Sequence, residues 1–195
     1  MTATQHASLI SEQEYLDGEK ISPVKYEYVD GHVYAMAGAH ANHNIIAGNV
    51  HGEMRNHLKA KGKPCRAYIS DMKVRLNNGT KYYYPDVLVN CPAITGYFTE
   101  NPILLVEVLS DSTRRIDETE KRLAYMQIES LEEYVLIAQD FVQIEVIRKS
   151  DGWKSSKYFL GDEVTFSSIG LTLPVADIYE GVDNADMAEW LKQKE

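Results

Sequence analysis

Two acidic residues stand where acids are costly. Glu107 interrupts the apolar run Ile103-Leu104-Leu105-Val106-Glu107-Val108-Leu109. Asp86, twenty-one residues earlier, interrupts Tyr82-Tyr83-Tyr84-Pro85-Asp86-Val87-Leu88-Val89. Runs this dense in branched apolar residues read as strands buried on both faces. A lone carboxylate in such a strand needs a cation, a hydrogen-bond donor or a raised pKa. If the two strands pair, both carboxylates can project from one face, and adjacent carboxylates repel unless a metal ion lies between them. Types and spacing therefore point to a metal-dependent active site.

Other chemistries are poorly served. His40 and His43 are three apart and could share a helical face, but no cysteine or third histidine completes a zinc set. His43 is expected near the pocket, touching phosphate or capping a helix. Ser110 and Ser112 sit in no nucleophile elbow, and Cys91 has no histidine close in sequence. The thirteen tyrosines read mainly as strand packing, although Tyr82 to Tyr84 could also present rings to a nucleotide.

The elements that must position these residues can be traced along the chain. Ser8 or Ser11 caps a short helix through Leu16 that ends near Gly18. Tyr26 to Val29 and His32 to Met36 form a hairpin about Asp30-Gly31. From Asn42 to Lys61 the period becomes helical, with Ile46, Val50, Met54 and Leu58 on one stripe, and Gly62 and Pro64 end it. A strand is expected over Arg66 to Leu76, then the turn Asn77-Asn78-Gly79, the Asp86 strand and the Glu107 strand. The capping residues Ser110-Asp111-Ser112-Thr113 precede a helix from about Arg115 to Ile128. Strands follow at Tyr134–Ala138 and Val142–Arg148, then a strand pair within Trp153–Phe166 and a short helix at Pro174–Tyr179. Residues 183–195 read as an acidic, loosely held tail. The sum is one domain over 1–195, of α/β (α+β) class: a central mixed β-sheet flanked by helices, the long helix on one face and the 115–128 helix on the other.

Bulk properties narrow the class. At 195 residues and 44% hydrophobic composition the chain can bury a real core. No segment approaches the roughly 20 apolar residues of a membrane span, and the N-terminus lacks the pattern of a signal peptide, so a cytoplasmic location is expected. Two cysteines, Cys65 and Cys91, lie in no ligand spacing; a disulfide stays open, but free thiols in a reducing compartment are the expectation. The net charge of −9 speaks against coating nucleic acid by bulk attraction. Its distribution is uneven. Arg55, Lys59, Lys61, Lys63, Arg66, Lys73 and Arg75 face one acid, Asp71, a local +6. Arg114, Arg115, Lys121 and Arg122 form a second basic cluster, interleaved with Asp117, Glu118 and Glu120. Arg55, Lys59, Lys73, Arg114 and Arg115 are the candidates for contact with substrate. Dipole complementation and solubility account equally well for the first cluster taken alone.

An ordered set of motifs carries a family resemblance. Tyr26-Glu27-Tyr28-Val29-Asp30-Gly31, His43, Pro85-Asp86-Val87, Glu107-Val108-Leu109-Ser110 and Asp117 followed by Lys121 and Tyr125 together resemble the Uma2 (DUF820) family, a branch of the PD-(D/E)xK nuclease superfamily. The resemblance spans Tyr26 to Arg148. It implies a restriction-endonuclease-like fold, DNA as substrate, magnesium (or manganese) as cofactor and a homodimer. Asp86, Glu107 and the Val108 carbonyl become the implied metal ligands, Glu27 a helper acid, and Lys121 the catalytic lysine. One departure matters: the superfamily pattern wants lysine two residues after the glutamate, where this chain has Leu109. The resemblance implies that Lys121 reaches the same cavity from the next helix, held by Asp117 four residues before it. Two other readings compete: a nuclease-like fold that binds DNA or a protein without cutting, and a metal-dependent hydrolase of small phosphoesters.

Overall fold

The computed structural model describes residues 9–36, 38–62, 64–111 and 113–194. Ser8, Lys63 and Ser112 lie outside the described residues. The first helix, α1 (Glu12–Glu19), starts at Ser11, whose hydroxyl accepts from the Glu14 amide while the Glu14 carboxylate accepts from the Ser11 amide. This reciprocal cap satisfies two donors that a helix start otherwise leaves open. Strands β1 (Tyr26–Val29) and β2 (His32–Ala35) form the expected hairpin, with Asp30 and Gly31 at φ 49° and 90°. Helix α2 (Ala41–Ala60) buries Ile46, Val50, Met54 and Leu58, the stripe its period specifies.

Two expected strands are each broken, and the breaks are functionally placed. The stretch Arg66–Leu76 divides at Ser70, which adopts φ 47°, into β3 (Arg66–Ile69) and β4 (Lys73–Leu76). The run around Pro85 divides into β5 (Lys81–Tyr83) and β6 (Val87–Asn90). Proline has no N–H to give a ladder, so a sheet cannot continue through position 85 unchanged. At both breaks the chain crosses from one sheet to another, and the two crossings are tied by a bond from the Ser70 amide to the Asp86 carbonyl at 3.0 Å. A five-stranded sheet has the order β2-β1-β5-β4-β7, with β7 at Phe98–Thr99.

The central sheet holds β8 (Pro102–Leu109), β9 (Glu133–Ala138), β10 (Ile144–Arg148) and β11 (Lys154–Tyr158) with β3 and β6, in the order β11-β10-β9-β8-β6-β3. It is mixed: β8 pairs antiparallel with β6 and parallel with β9. On one face α2 packs its stripe on Val87, Val89, Leu104, Val106 and Val108. On the other, Leu88, Leu105, Leu109 and Leu136 meet Ala124 and Tyr125. Each of these fully buried side chains is worth about 1.5–3 kcal/mol by removal from water. The helix on this second face runs as α3 (Arg114–Ile116), a π turn over Asp117–Lys121, and α4 (Arg122–Tyr125).

Three expectations are corrected. The strands within Trp153–Phe166 do not pair with each other: β11 joins β10, while β12 (Glu163–Phe166) pairs with β13 (Leu171–Pro174). After α5 (Val175–Ile178), the supposedly loose tail forms α6 (Ala185–Lys192), capped by Asn184. Met187 is buried and Trp190 packs on the core, because apolar residues three apart share one helical face. Finally, Cys65 and Cys91 form a disulfide. They continue the β3–β6 ladder one position past Arg66 and Asn90, which places them opposite each other. The thiol argument for a reducing compartment goes with the free thiols. No helix among the described residues is long and apolar enough to cross a membrane.

Candidate active site

The register of β6 and β8 decides where the two key acids lie. Val87 faces Val106, so one position further Asp86 faces Glu107. Their surroundings differ. Asp86 sits at the chain crossing, where its Oδ2 accepts from the Val108 amide at 2.7 Å and lies 3.2 Å from His43 Nε2, near the start of α2. Glu107 is inside the sheet, 3% exposed, and its Oε1 accepts from Lys121 Nζ at 3.2 Å and from the Tyr125 hydroxyl at 3.0 Å.

Lys121 is the hub. Its ammonium lies 2.9 Å from Glu27 Oε1 on β1, 3.2 Å from Glu107 Oε1 and 3.2 Å from Asp117 Oδ1. The Tyr83 ring lies beneath it, 5.5 Å away. Glu27 is steadied by the Tyr84 amide, which donates to its Oε1 at 3.1 Å. Asp117 and Lys121, four residues apart at the two ends of the π turn, share one face of the helix, and both side chains are buried. The Tyr134 hydroxyl, donating to the Asp117 carbonyl at 3.0 Å, helps hold that turn on the sheet. Leu109, where a lysine was wanted, packs in the core with Tyr125 and Tyr134.

Electrostatics follow from crowding three carboxylates around one ammonium, with Asp86 facing one of them. Burial pushes Glu107 well above the ordinary carboxyl range; Lys121 opposes the shift, while Asp117, Asp86 and Glu27 add to it. Burial also raises Asp117, again opposed by Lys121. Lys121 itself moves up: burial favours its neutral form, but Glu107, Glu27 and Asp117 outweigh it. The ammonium is therefore charged, and burial favours the protonated form of Glu107. For His43, burial lowers the pKa, but the bond to Asp86, the charges of Asp86 and Asp117 and the Val108 backbone win, and the net shift is upward.

The donor chemistry fits a hard divalent cation. Carboxylate oxygens outnumber the positive charge that neutralises them. Asp117 Oδ1 is buried and lies within ion-pair range of Lys121, yet at an angle that makes no hydrogen bond. Among the described residues no three histidines, cysteines or acids are arranged so that together they could hold a metal ion. Two carboxylates completed by waters is the arrangement magnesium accepts.

The other candidates separate. Lys73 is not available to substrate. It is 4% exposed, paired with Glu19 at 3.3 Å, and lies over the Tyr15 and Tyr84 rings. Arg114 and Arg115 sit on the first turn of the same helix as Lys121. Arg114 is 3.5 Å from Glu118 and stacks over Phe141, while Arg115 is exposed. Arg55 and Lys59 are exposed on the far half of α2, away from the cluster. Sequence reasoning quoted Tyr125 in the motif set without giving its hydroxyl a role, and missed Tyr134 as a partner of the site. Both lie in apolar patterns that look like ordinary packing, and no local signal marks their hydroxyls.

Comparison with known proteins gives the family and the fold. Residues 12–176 match the model of the Uma2 family, described as "Putative restriction endonuclease". Two Synechocystis sp. relatives, both called uncharacterized proteins, are similar along most of their length. One, slr1290, is 35% identical over 178 residues, covering 89% of this chain and 93% of that one. The other, sll1609, is 31% identical over 154 residues, covering 76% and 86%. A solved structure from Anabaena variabilis, described as a putative nuclease belonging to DUF820, superposes with a TM-score of 0.70 at 17% identity, covering 88% of this chain and 98% of that one. At that identity the likeness speaks for the fold alone. With the match covering most of its length, the chain belongs to the Uma2 family.

Proposed function

We propose that this chain is a divalent-metal-dependent endonuclease that hydrolyses DNA phosphodiester bonds. The observation that carries the reading is the Lys121 ammonium, 3.2 Å from Glu107 Oε1 and delivered from a helix, beside an Asp86 that faces Glu107 across the ladder. The family description supports it. Asp86, Glu107 and the Val108 carbonyl would hold Mg²⁺, or Mn²⁺ in its place, which would supply a polarised water and neutralise phosphate charge. Lys121 orients the attacking water and stabilises charge that develops on the phosphate. Glu27 and Asp117 hold Lys121 in place, and His43 fixes the Asp86 carboxylate. Two copies related by a two-fold axis would match the symmetry of duplex DNA. Sedimentation at micromolar concentration should then give a dimer, and a strict monomer counts against it.

Supercoiled plasmid with Mg²⁺ or Mn²⁺ tests the catalytic reading. The wild type should nick it, and Lys121→Ala should lose nearly all cleavage while still binding metal and DNA, since a charge acting mainly on the transition state lowers turnover. Leu109→Lys in the Lys121→Ala background should recover some activity. Lys121→Ala cutting at the wild-type rate would sink the assignment. The second reading, a DNA or protein binder that does not cut, draws on the enclosure of Glu107 by Lys121 and Tyr125. A wild type inert with both metals would favour it.

A further inference from the structure

The basic run between Arg55 and Arg75 comes apart in three dimensions. Lys73 pairs with Glu19, and Arg75 with Glu12 and Glu100. Arg55 and Lys59, from the last turns of α2, instead meet Arg66 of edge strand β3 around one cleft of about 300 Å³. Leu58, Cys65 and Ala67 complete its lining. No carboxylate lines it, and none of its three cations has an ion-pair partner among the described residues. In a chain of net charge −9, three unneutralised cations around one concavity repel one another and complement an anion. The walls are fixed. Leu58 is 2% exposed in the core, and the Cys65–Cys91 disulfide clips the end of β3 to β6.

We propose that this cleft binds the phosphodiester backbone of duplex DNA and anchors the substrate at a distance from the carboxylate cluster. The inference rests on the proposed function for the identity of the reacting bond, but not for the binding. Arg66 pairs with Asn90, and Asp86 stands four residues back along the same strand path. At 3.3 Å per residue Arg66 is about 13 Å from Asp86, and at 1.5 Å per residue Arg55 and Lys59 stand about 18 and 24 Å along α2 from His43, which touches Asp86. Duplex phosphates advance about 3.4 Å along the axis per base pair, so DNA touching both places extends about four to seven base pairs beyond the scissile bond. Arg55 and Arg66 offer planar forks that match phosphate oxygens. Inorganic phosphate or a mononucleotide carries the same charge but cannot span the two places. An acidic polypeptide lacks the fixed phosphate spacing.

The test is binding without cleavage, read by anisotropy of a labelled 20-base-pair duplex in EDTA. The variants are Arg55→Ala/Lys59→Ala/Arg66→Ala, the charge-preserving Arg55→Lys/Arg66→Lys, and, as a control, Lys154→Ala, an exposed cation on β11 at the sheet edge opposite β3. Three lost phosphate contacts should lower the salt slope of binding by about 2.7. Between 50 and 200 mM salt the wild-type affinity should then fall about 40-fold more steeply than that of the triple variant. The lysine variant should keep the wild-type slope, which a merely structural role would not predict, and Lys154→Ala should bind as the wild type does. Equal slopes for the wild type and the triple variant would overturn the proposal. So would competition by inorganic phosphate, a mononucleotide or polyglutamate as effective, per charge, as competition by unlabelled duplex. A wild type that binds through the cleft but never cuts would leave the cleft assigned while the catalytic reading fails.

Discussion

Replacing Lys121 with methionine removes the one cation that three carboxylates share, with little change in volume. Lys121 is 6% exposed, and its ammonium lies within 3.2 Å of Glu27, Glu107 and Asp117. Breaking a buried ion pair by removing one partner costs about 3–5 kcal/mol, because uncompensated charge stays behind. For a chain of this size each kcal/mol moves Tm by about 2–4 °C, so Lys121→Met should melt about 6–20 °C lower in metal-free buffer at pH 7.5. The loss should depend on pH. Without the ammonium the buried carboxyls of Glu107 and Asp117 bind protons more tightly in the folded than in the unfolded state, so the variant loses stability as pH rises above the ordinary carboxylate range. At pH 4.5, where those carboxyls are largely neutral in the variant, the gap to wild type should narrow to a few degrees. Thermal melts by circular dichroism at both pH values measure this. A shift below 2 °C at pH 7.5, or one equal at both pH values, would refute the idea that Lys121 neutralises the cluster.

Glu107→Gln should act in the opposite direction. Its carboxyl is held above the ordinary range by burial, so the folded metal-free protein loses stability as pH rises from the unfolded value toward the folded one, and glutamine escapes that loss. The variant should melt higher than wild type at pH 8 and no higher at pH 4; a lower melting point at pH 8 would contradict the pKa direction. The disulfide closes a 26-residue separation, for which the chain-entropy relation gives about 3.5 kcal/mol. Cys65→Ser/Cys91→Ser should lose about that much in urea unfolding, and dithiothreitol should bring the wild type down to the same midpoint. An unchanged wild-type midpoint under reduction would show that the bond contributes nothing.

What local pattern carries was legible in the chain. The stripe of α2 is a repeat within one helix, the Asp30-Gly31 hairpin needs only backbone allowed at positive φ, and the acids at 86 and 107 stand out because charge is costly in apolar strands. The ordered motifs placed Lys121 in the same cavity as Glu107, and the structure brings them together. Other features depend on which segments become neighbours. The breaks at Ser70 and Pro85 move each half-strand to a different sheet, and only sheet assembly shows that the halves beside Asp86 belong together. The basic run looked like one patch because sequence lists charges without their partners; folding gave Lys73 and Arg75 to acids from α1 and left Arg55, Lys59 and Arg66 unpaired. Cys65 and Cys91 are 26 residues apart and meet because β3 and β6 pair in one register. The same holds for the hydroxyls of Tyr125 and Tyr134, which reach Glu107 and Asp117 through contacts distant in sequence. Composition and period record what a residue prefers, whereas the charge state of Glu107 is set by neighbours that only the tertiary structure supplies.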